Sequence, residues 1–203
     1  MKSIFKNIQG DSVIWAIIGV LAIFSFLPVY SASSNLAYLY GDGNTFKFLA
    51  KHFAHLVLGF GILYGVHKIP YHYFRGLSMI ALPIVVVFLL ITMAQGTTIG
   101  GANASRWIRV PLVGVTFQTS TLAAVVLMTY VARYLSTIES KLVSFKETLL
   151  PLWLPVFLII GLILPANFST AAIIFAMVVL LVFIGGYPFR YLAIILTTGL
   201  LLL

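Results

Sequence analysis

The chain is 203 residues long, 62% hydrophobic and only 8% charged, with a mean hydropathy of +1.12. A soluble domain is roughly 25% charged, and a soluble chain this apolar has too few polar residues to cover its own surface, so the sequence is that of a protein whose apolar faces are solvated by lipid. The formal net charge of +8 then reads as basic residues placed on loops between spans, not as a nucleic-acid surface, and the absence of cysteine excludes disulfides, thiolate nucleophiles and cysteine metal sites.

A hydrocarbon core about 30 Å thick needs about 20 helical residues. Lys2 and Lys6 precede an apolar run, Val13 to Ser33, that is long enough to span and has no small-residue cleavage site after it. It reads as a retained first helix over 12–33, capped by Asp11 or Ser12. Further helices are predicted over 49–67, 76–95 and 118–135. Residues 148–189 are free of charge, and Pro165-Ala-Asn-Phe-Ser-Thr170 divides them into helices over 148–164 and 169–186, with Asn167 or Ser169 as cap. A seventh helix, 190–203, begins near Arg190 and stops inside the apolar run Leu201-Leu202-Leu203. A bare helix end in lipid leaves carbonyls unpaired, so the natural protein is expected to continue. The fold class is all-α: one polytopic transmembrane domain over 1–203, six full helices and the start of a seventh.

Lysine and arginine set the orientation. With the amino terminus inside, the inner segments hold Lys2, Lys6, Lys68, Arg75, Arg133, Lys141, Lys146 and Arg190, and the outer ones hold Lys47, Lys51, Arg106 and Arg109. Eight against four predicts amino-terminus-in. The outer basic residues run against that bias, which makes them candidates for binding.

The longest outer segment, Gln95 to Phe117, covers 23 residues, more than the structureless connections of about 12–15 residues that compact domains use. It carries Gly100 and Gly101, then Arg106, Trp107 and Arg109. Guanidinium groups match phosphate bidentately, and tryptophan suits the water–lipid interface. The alternative is that both arginines are interfacial anchors with no ligand. In the first outer loop Lys51 reads as a headgroup contact. His52 and His55, three apart, share a helix face but lack a further ligand for a metal. His67 and His72, with Lys68, read as a solvated inner turn, and Ser136 to Glu147 as another inner loop. The acids Asp11, Asp42, Glu139 and Glu147 all lie in loops or at helix ends. No carboxylate sits mid-span to couple ion transport, and no pair is placed for acid/base chemistry. No cofactor pattern is readable, and a divalent cation is not specified.

Gly101-Ala-Asn-Ala-Ser-Arg-Trp-Ile108 followed by Phe117-Gln118 resembles the N-G-A-x-R-W-I … Q-P-S-E stretch of the SEDS family. Tyr30-Ser-Ala-Ser33, Phe48 to His52, Pro165 to Thr170 and Gly185-Gly186 resemble further family segments in the same order. Three charged positions are neutral here, the family's glutamate, lysine and aspartate being Thr121, Ala124 and Asn167, and the glycine of its P-D-x-G-T is Ser169. The resemblance implies a ten-helix fold whose members polymerise lipid II into glycan strands on the outer face of the bacterial inner membrane, partnered by a class B penicillin-binding protein. The segment looks most like the amino-terminal half of the division-type members, at work with other division proteins at the septum. It implies a catalytic aspartate in a later outer loop, beyond residue 203. Substrate contacts are then expected from Arg106, Trp107, Arg109, Gln118, Lys51 and Ser105. A lipid-linked precursor transporter and a non-catalytic division scaffold are the other readings.

Overall fold

The computed structural model describes residues 10–40, 44–95, 107–109, 116–138 and 144–201. Two compact units, Met1–Pro70 and Tyr71–Leu203, divide the chain. Among the described residues four helical stretches are long and apolar enough to cross a membrane: Ser12–Ser34, Thr45–Val66, His72–Ala94 and Phe145–Ile163.

The first unit holds α1 (Ser12–Phe24), α2 (Phe26–Tyr40) and α3 (Thr45–Val66). Asp11 caps α1, its Oδ1 accepting from the Val13 amide at 2.7 Å. The single helix predicted over 12–33 is two, interrupted at Ser25 and continued to Tyr40. Pro28 gives the physical reason. It has no N–H to offer the Phe24 carbonyl four residues back, and its ring crowds that carbonyl. At the interruption the Ser25 hydroxyl donates to the Ala22 carbonyl at 2.6 Å and lies 2.8 Å from His52 Nε2. The edge-on ring of Phe26, 5.1 Å from the imidazole, holds His52 in place.

Asn44 caps α3, accepting from the Phe46 amide at 3.1 Å, so this helix begins ahead of the predicted residue 49. Lys47 therefore stands on helix together with Lys51, His52 and His55. His55 Nδ1 meets the Lys51 carbonyl at 2.6 Å, so the two histidines have separate partners.

The second unit contains α4 (His72–Gln95), β1 (Trp107–Arg109), β2 (Thr116–Gln118), α5 (Thr119–Thr137), α6 (Phe145–Thr148), α7 (Leu154–Ile163), α8 (Phe168–Ile184) and α9 (Phe189–Leu201). The strands form an antiparallel ribbon, with Trp107 opposite Gln118, Ile108 opposite Phe117 and Arg109 opposite Thr116. This ribbon is an addition to the all-helical expectation. Every fourth residue of α5 is buried along one stripe, Ala123, Leu127, Val131 and Leu135. That stripe joins Val85 and Leu89 of α4, Val156 and Ile159 of α7, and Ile174, Val178 and Val182 of α8 in one core. The spacing is the one that keeps side chains on a single helix face.

Between α6 and α7 the backbone widens into a π segment, Leu149–Trp153. Pro151 and Pro155 explain it, since neither can donate to the carbonyl four residues earlier. The carbonyl left open by Pro155 is that of Pro151, and the Tyr130 hydroxyl of α5 donates to it at 2.7 Å. A side chain on a neighbouring helix thus replaces the missing backbone donor.

At the other end of α8, Gly186 adopts φ +79°. The Tyr187 amide bonds the Val182 carbonyl at 3.2 Å and the Gly186 amide bonds that of Phe183 at 3.1 Å, which is a Schellman closure. It delivers Tyr187 into the core, where its hydroxyl pairs with Thr148 Oγ1 at 2.6 Å.

Replacing Tyr130 by phenylalanine should cost about 1–3 kcal/mol, the desolvation of one orphaned carbonyl. The loss should appear as a lower unfolding midpoint of the detergent-solubilised protein. A change below about 0.5 kcal/mol would mean that another group satisfies Pro151.

Candidate functional site

Two antiparallel helix pairs meet at one end of the second unit. The carboxyl end of α4 stands beside the amino end of α5, joined through the ribbon, and the carboxyl end of α7 turns through Pro165-Ala-Asn167 into α8. A cavity of about 250 Å³ lies between them, with Thr92, Thr119, Ser120 and Asn167 as its polar residues and Leu89 and Ile163 among its apolar ones. The ribbon runs straight into its wall: Gln118 closes β2 and is the N-cap residue of α5, and Thr119 and Ser120 follow. Phe117 anchors the ribbon on α4 through an edge-on contact with Phe88, 6.2 Å between centroids.

Hydroxyls in apolar helices usually turn back to their own carbonyls. Thr92 does so, 2.6 Å from the Phe88 carbonyl, and it also bonds Thr119 Oγ1 across the helix pair at 3.0 Å. Asn167 caps α8, its Oδ1 accepting from the Thr170 amide at 3.2 Å while its Nδ2 donates to the Thr170 hydroxyl. Ser120 differs. It is only 6% exposed, and its Oγ is buried with no hydrogen-bond partner. A buried unsatisfied hydroxyl on a cavity wall marks a place for water or a ligand group.

None of the described residues that line the cavity is ionisable. The helix ends also oppose one another, two carboxyl ends against two amino ends, so their partial charges offset. The described walls are therefore suited to uncharged hydrogen-bonding groups, and they offer no acid or base.

Of the residues singled out in the sequence, Trp107, Arg109 and Gln118 come together on the ribbon, Trp107 and Gln118 directly opposite each other and both half-buried. Ser105 and Arg106 lie outside the described residues. Lys51 is exposed on α3, in the first unit. Thr92 and Thr119 were not anticipated. The available signal was a lone hydroxyl, Thr92, in the apolar run Leu89-Leu90-Ile91-Thr92-Met93, since polar groups within spans are costly and usually have a task.

The chain shares its fold with one chain of a solved peptidoglycan synthase complex described as coordinating polymerization and crosslinking: TM-score 0.59, 22% identity, covering 88% of this chain and 52% of that one. Among curated relatives, the probable peptidoglycan glycosyltransferase FtsW of Geobacter sulfurreducens is 32% identical over 89% of this chain and 48% of its own length. The Marinomonas mediterranea protein of the same name is 26% identical over 96% of this chain and 49% of its own, and that of Polynucleobacter necessarius 28% identical over 93% and 44%. The chain thus spans about half the length of the curated relatives it matches. The family profile of FtsW, RodA and SpoVE, described as cell cycle proteins, matches residues 11–203, and the chain belongs to that family, the SEDS proteins.

Proposed function

We propose that the chain supplies the amino-terminal transmembrane half of a peptidoglycan glycosyltransferase that polymerises lipid II during septal wall synthesis. The observation that carries this reading is the likeness, over nearly the whole chain, to proteins named as probable peptidoglycan glycosyltransferases. In the proposed reaction the 4-hydroxyl of one lipid II sugar attacks the anomeric carbon of the other. The bond to undecaprenyl pyrophosphate breaks, that group leaves with the bonding pair, and the hydroxyl proton passes to a base outside residues 1–203. Arg106 and Arg109 neutralise the pyrophosphate as it departs, Trp107 seats the ribbon at the interface, and Gln118, Ser105 and Lys51 contact the substrate. A class B penicillin-binding protein is the proposed partner, and no cofactor is assigned.

The proposed setting is the bacterial inner membrane, as one transmembrane domain with the amino terminus in the cytoplasm. Six full spans are proposed, α5 and the 17-residue α8 completing those long enough by themselves, and α9 begins a seventh. A cysteine placed at Thr98 should react with a membrane-impermeant maleimide from the periplasm, and one at Ser140 should not. The opposite pattern would reverse the topology and move the ribbon to the cytoplasm.

A scaffold without catalysis is the second reading, and one observation favours it. Where the family carries glutamate, lysine and aspartate, this chain has Thr121, Ala124 and Asn167. Turnover of labelled lipid II by the protein with its partner separates the two.

Within the polymerase reading, fork geometry at Arg106 should matter as much as charge. Arg106→Lys is expected to reduce lipid II turnover about tenfold to a hundredfold, the loss of one charge-assisted hydrogen bond in the transition state. Arg106→Ala should lose at least as much, both at normal expression. Normal turnover in Arg106→Ala would leave the arginine as an interfacial anchor.

A further inference from the structure

At the end of the second unit away from the ribbon, a larger cavity of about 740 Å³ opens between the start of α4 and the last turns of α5. Arg75 projects from α4 and Arg133 from α5, and both line it. Among the described residues that line it there is no carboxylate. Arg133 is half-buried, and its Nε is buried with no hydrogen-bond partner. A guanidinium nitrogen taken out of water without an acceptor is costly, so this geometry awaits an anionic acceptor.

The rest of the cavity indicates what that acceptor is attached to. Tyr71 and His72 stand at its rim and Phe74 and Leu181 form apolar wall. Met79, one turn along α4 from Arg75, leaves 52% of its surface exposed, which continues the apolar surface away from the arginines. Two guanidinium groups above an apolar track match a phosphate ester carrying hydrocarbon chains, and the volume falls within the roughly 300–1,000 Å³ usual for ligand sites. Basic pockets between transmembrane helices take anionic headgroups in this way.

We propose that Arg75 and Arg133 form a binding site for the phosphate of an anionic phospholipid, bound with its acyl chains along the outside of α4. The site is separate from the ribbon and its cavity. In the topology proposed above it faces the inner leaflet, but binding itself does not depend on which leaflet that is.

The test uses the purified protein in phosphatidylcholine nanodiscs, with lipid retention read by native mass spectrometry and thermal unfolding followed in parallel. Phosphatidylglycerol should be retained and should raise the unfolding temperature. Diacylglycerol, which lacks the phosphate, and inorganic phosphate, which lacks the chains, should do neither. Arg133→Gln and Arg75→Gln should each weaken phosphatidylglycerol binding about tenfold, one charge-assisted contact. Arg75 lies exposed on the rim, so its variant tests the site even where Arg133→Gln fails to fold. Arg190→Gln, outside the cavity, should leave binding unchanged.

Three results would overturn the site. Both cavity variants could retain affinity within about twofold. Arg190→Gln could match their loss, making the effect one of general surface charge. Inorganic phosphate could compete as well as the lipid, making the ligand a soluble anion.

Discussion

A backbone carbonyl in hydrocarbon has no water to turn to, and each one left without a donor costs several kcal/mol. The irregular features of this chain answer that constraint. Pro28 withholds a donor and α1 gives way to α2 at Ser25. Pro151 and Pro155 withhold two more, and the helix widens into a π segment whose open carbonyl takes the Tyr130 hydroxyl. Hydroxyls elsewhere fold back on their own helices, as at Ser78 to the Arg75 carbonyl and Thr148 to that of Phe145. Bends in the helices thus fall where a specific group has been arranged to absorb them, in keeping with the known causes of helix distortion.

The same constraint shapes the site. Helices must enter and leave the apolar layer, so antiparallel pairs bring their ends together, and polar side chains gather where the backbone runs out of internal partners. Thr92, Thr119, Ser120 and Asn167 come from three such ends. The buried α5 stripe continues upward into Thr119 and Ser120, so the helix that organises the core also lines the cavity. The ribbon docked on Phe88 is the link between that cavity and the residues that resemble the family's motif.

Much of the helical framework was legible because charge is absent over long runs, and because Asp11, Asn167 and Gly186 mark helix ends by their chemistry. The interruption at Ser25 was legible in principle from Pro28, but a continuous apolar run hides a proline near a helix start. The early beginning of α3 followed from Asn44, which an apolar window misses since it weighs Lys47 against the helix. The ribbon left little trace, as two strands of three residues each are too short for alternation to register. The cavity was illegible for a different reason. Thr92 and Thr119 are separated by 27 residues, and only the packing of helix pairs makes them neighbours. Loop composition supplied Arg106 as a candidate and family likeness supplied Ser105, and both stand outside the described residues.

The neutrality of the cavity beside the ribbon has a bearing on bioenergetics. A unit charge crossing the membrane does work of about 2.3 kcal/mol per 100 mV, so ionisable pockets at membrane depth gain or lose occupancy as the cell's voltage changes. No lining residue among those described carries charge. An uncharged group entering this cavity does no electrical work, and its occupancy is set by hydrogen bonding and fit alone. The described walls give a collapsing membrane potential no charge to act on.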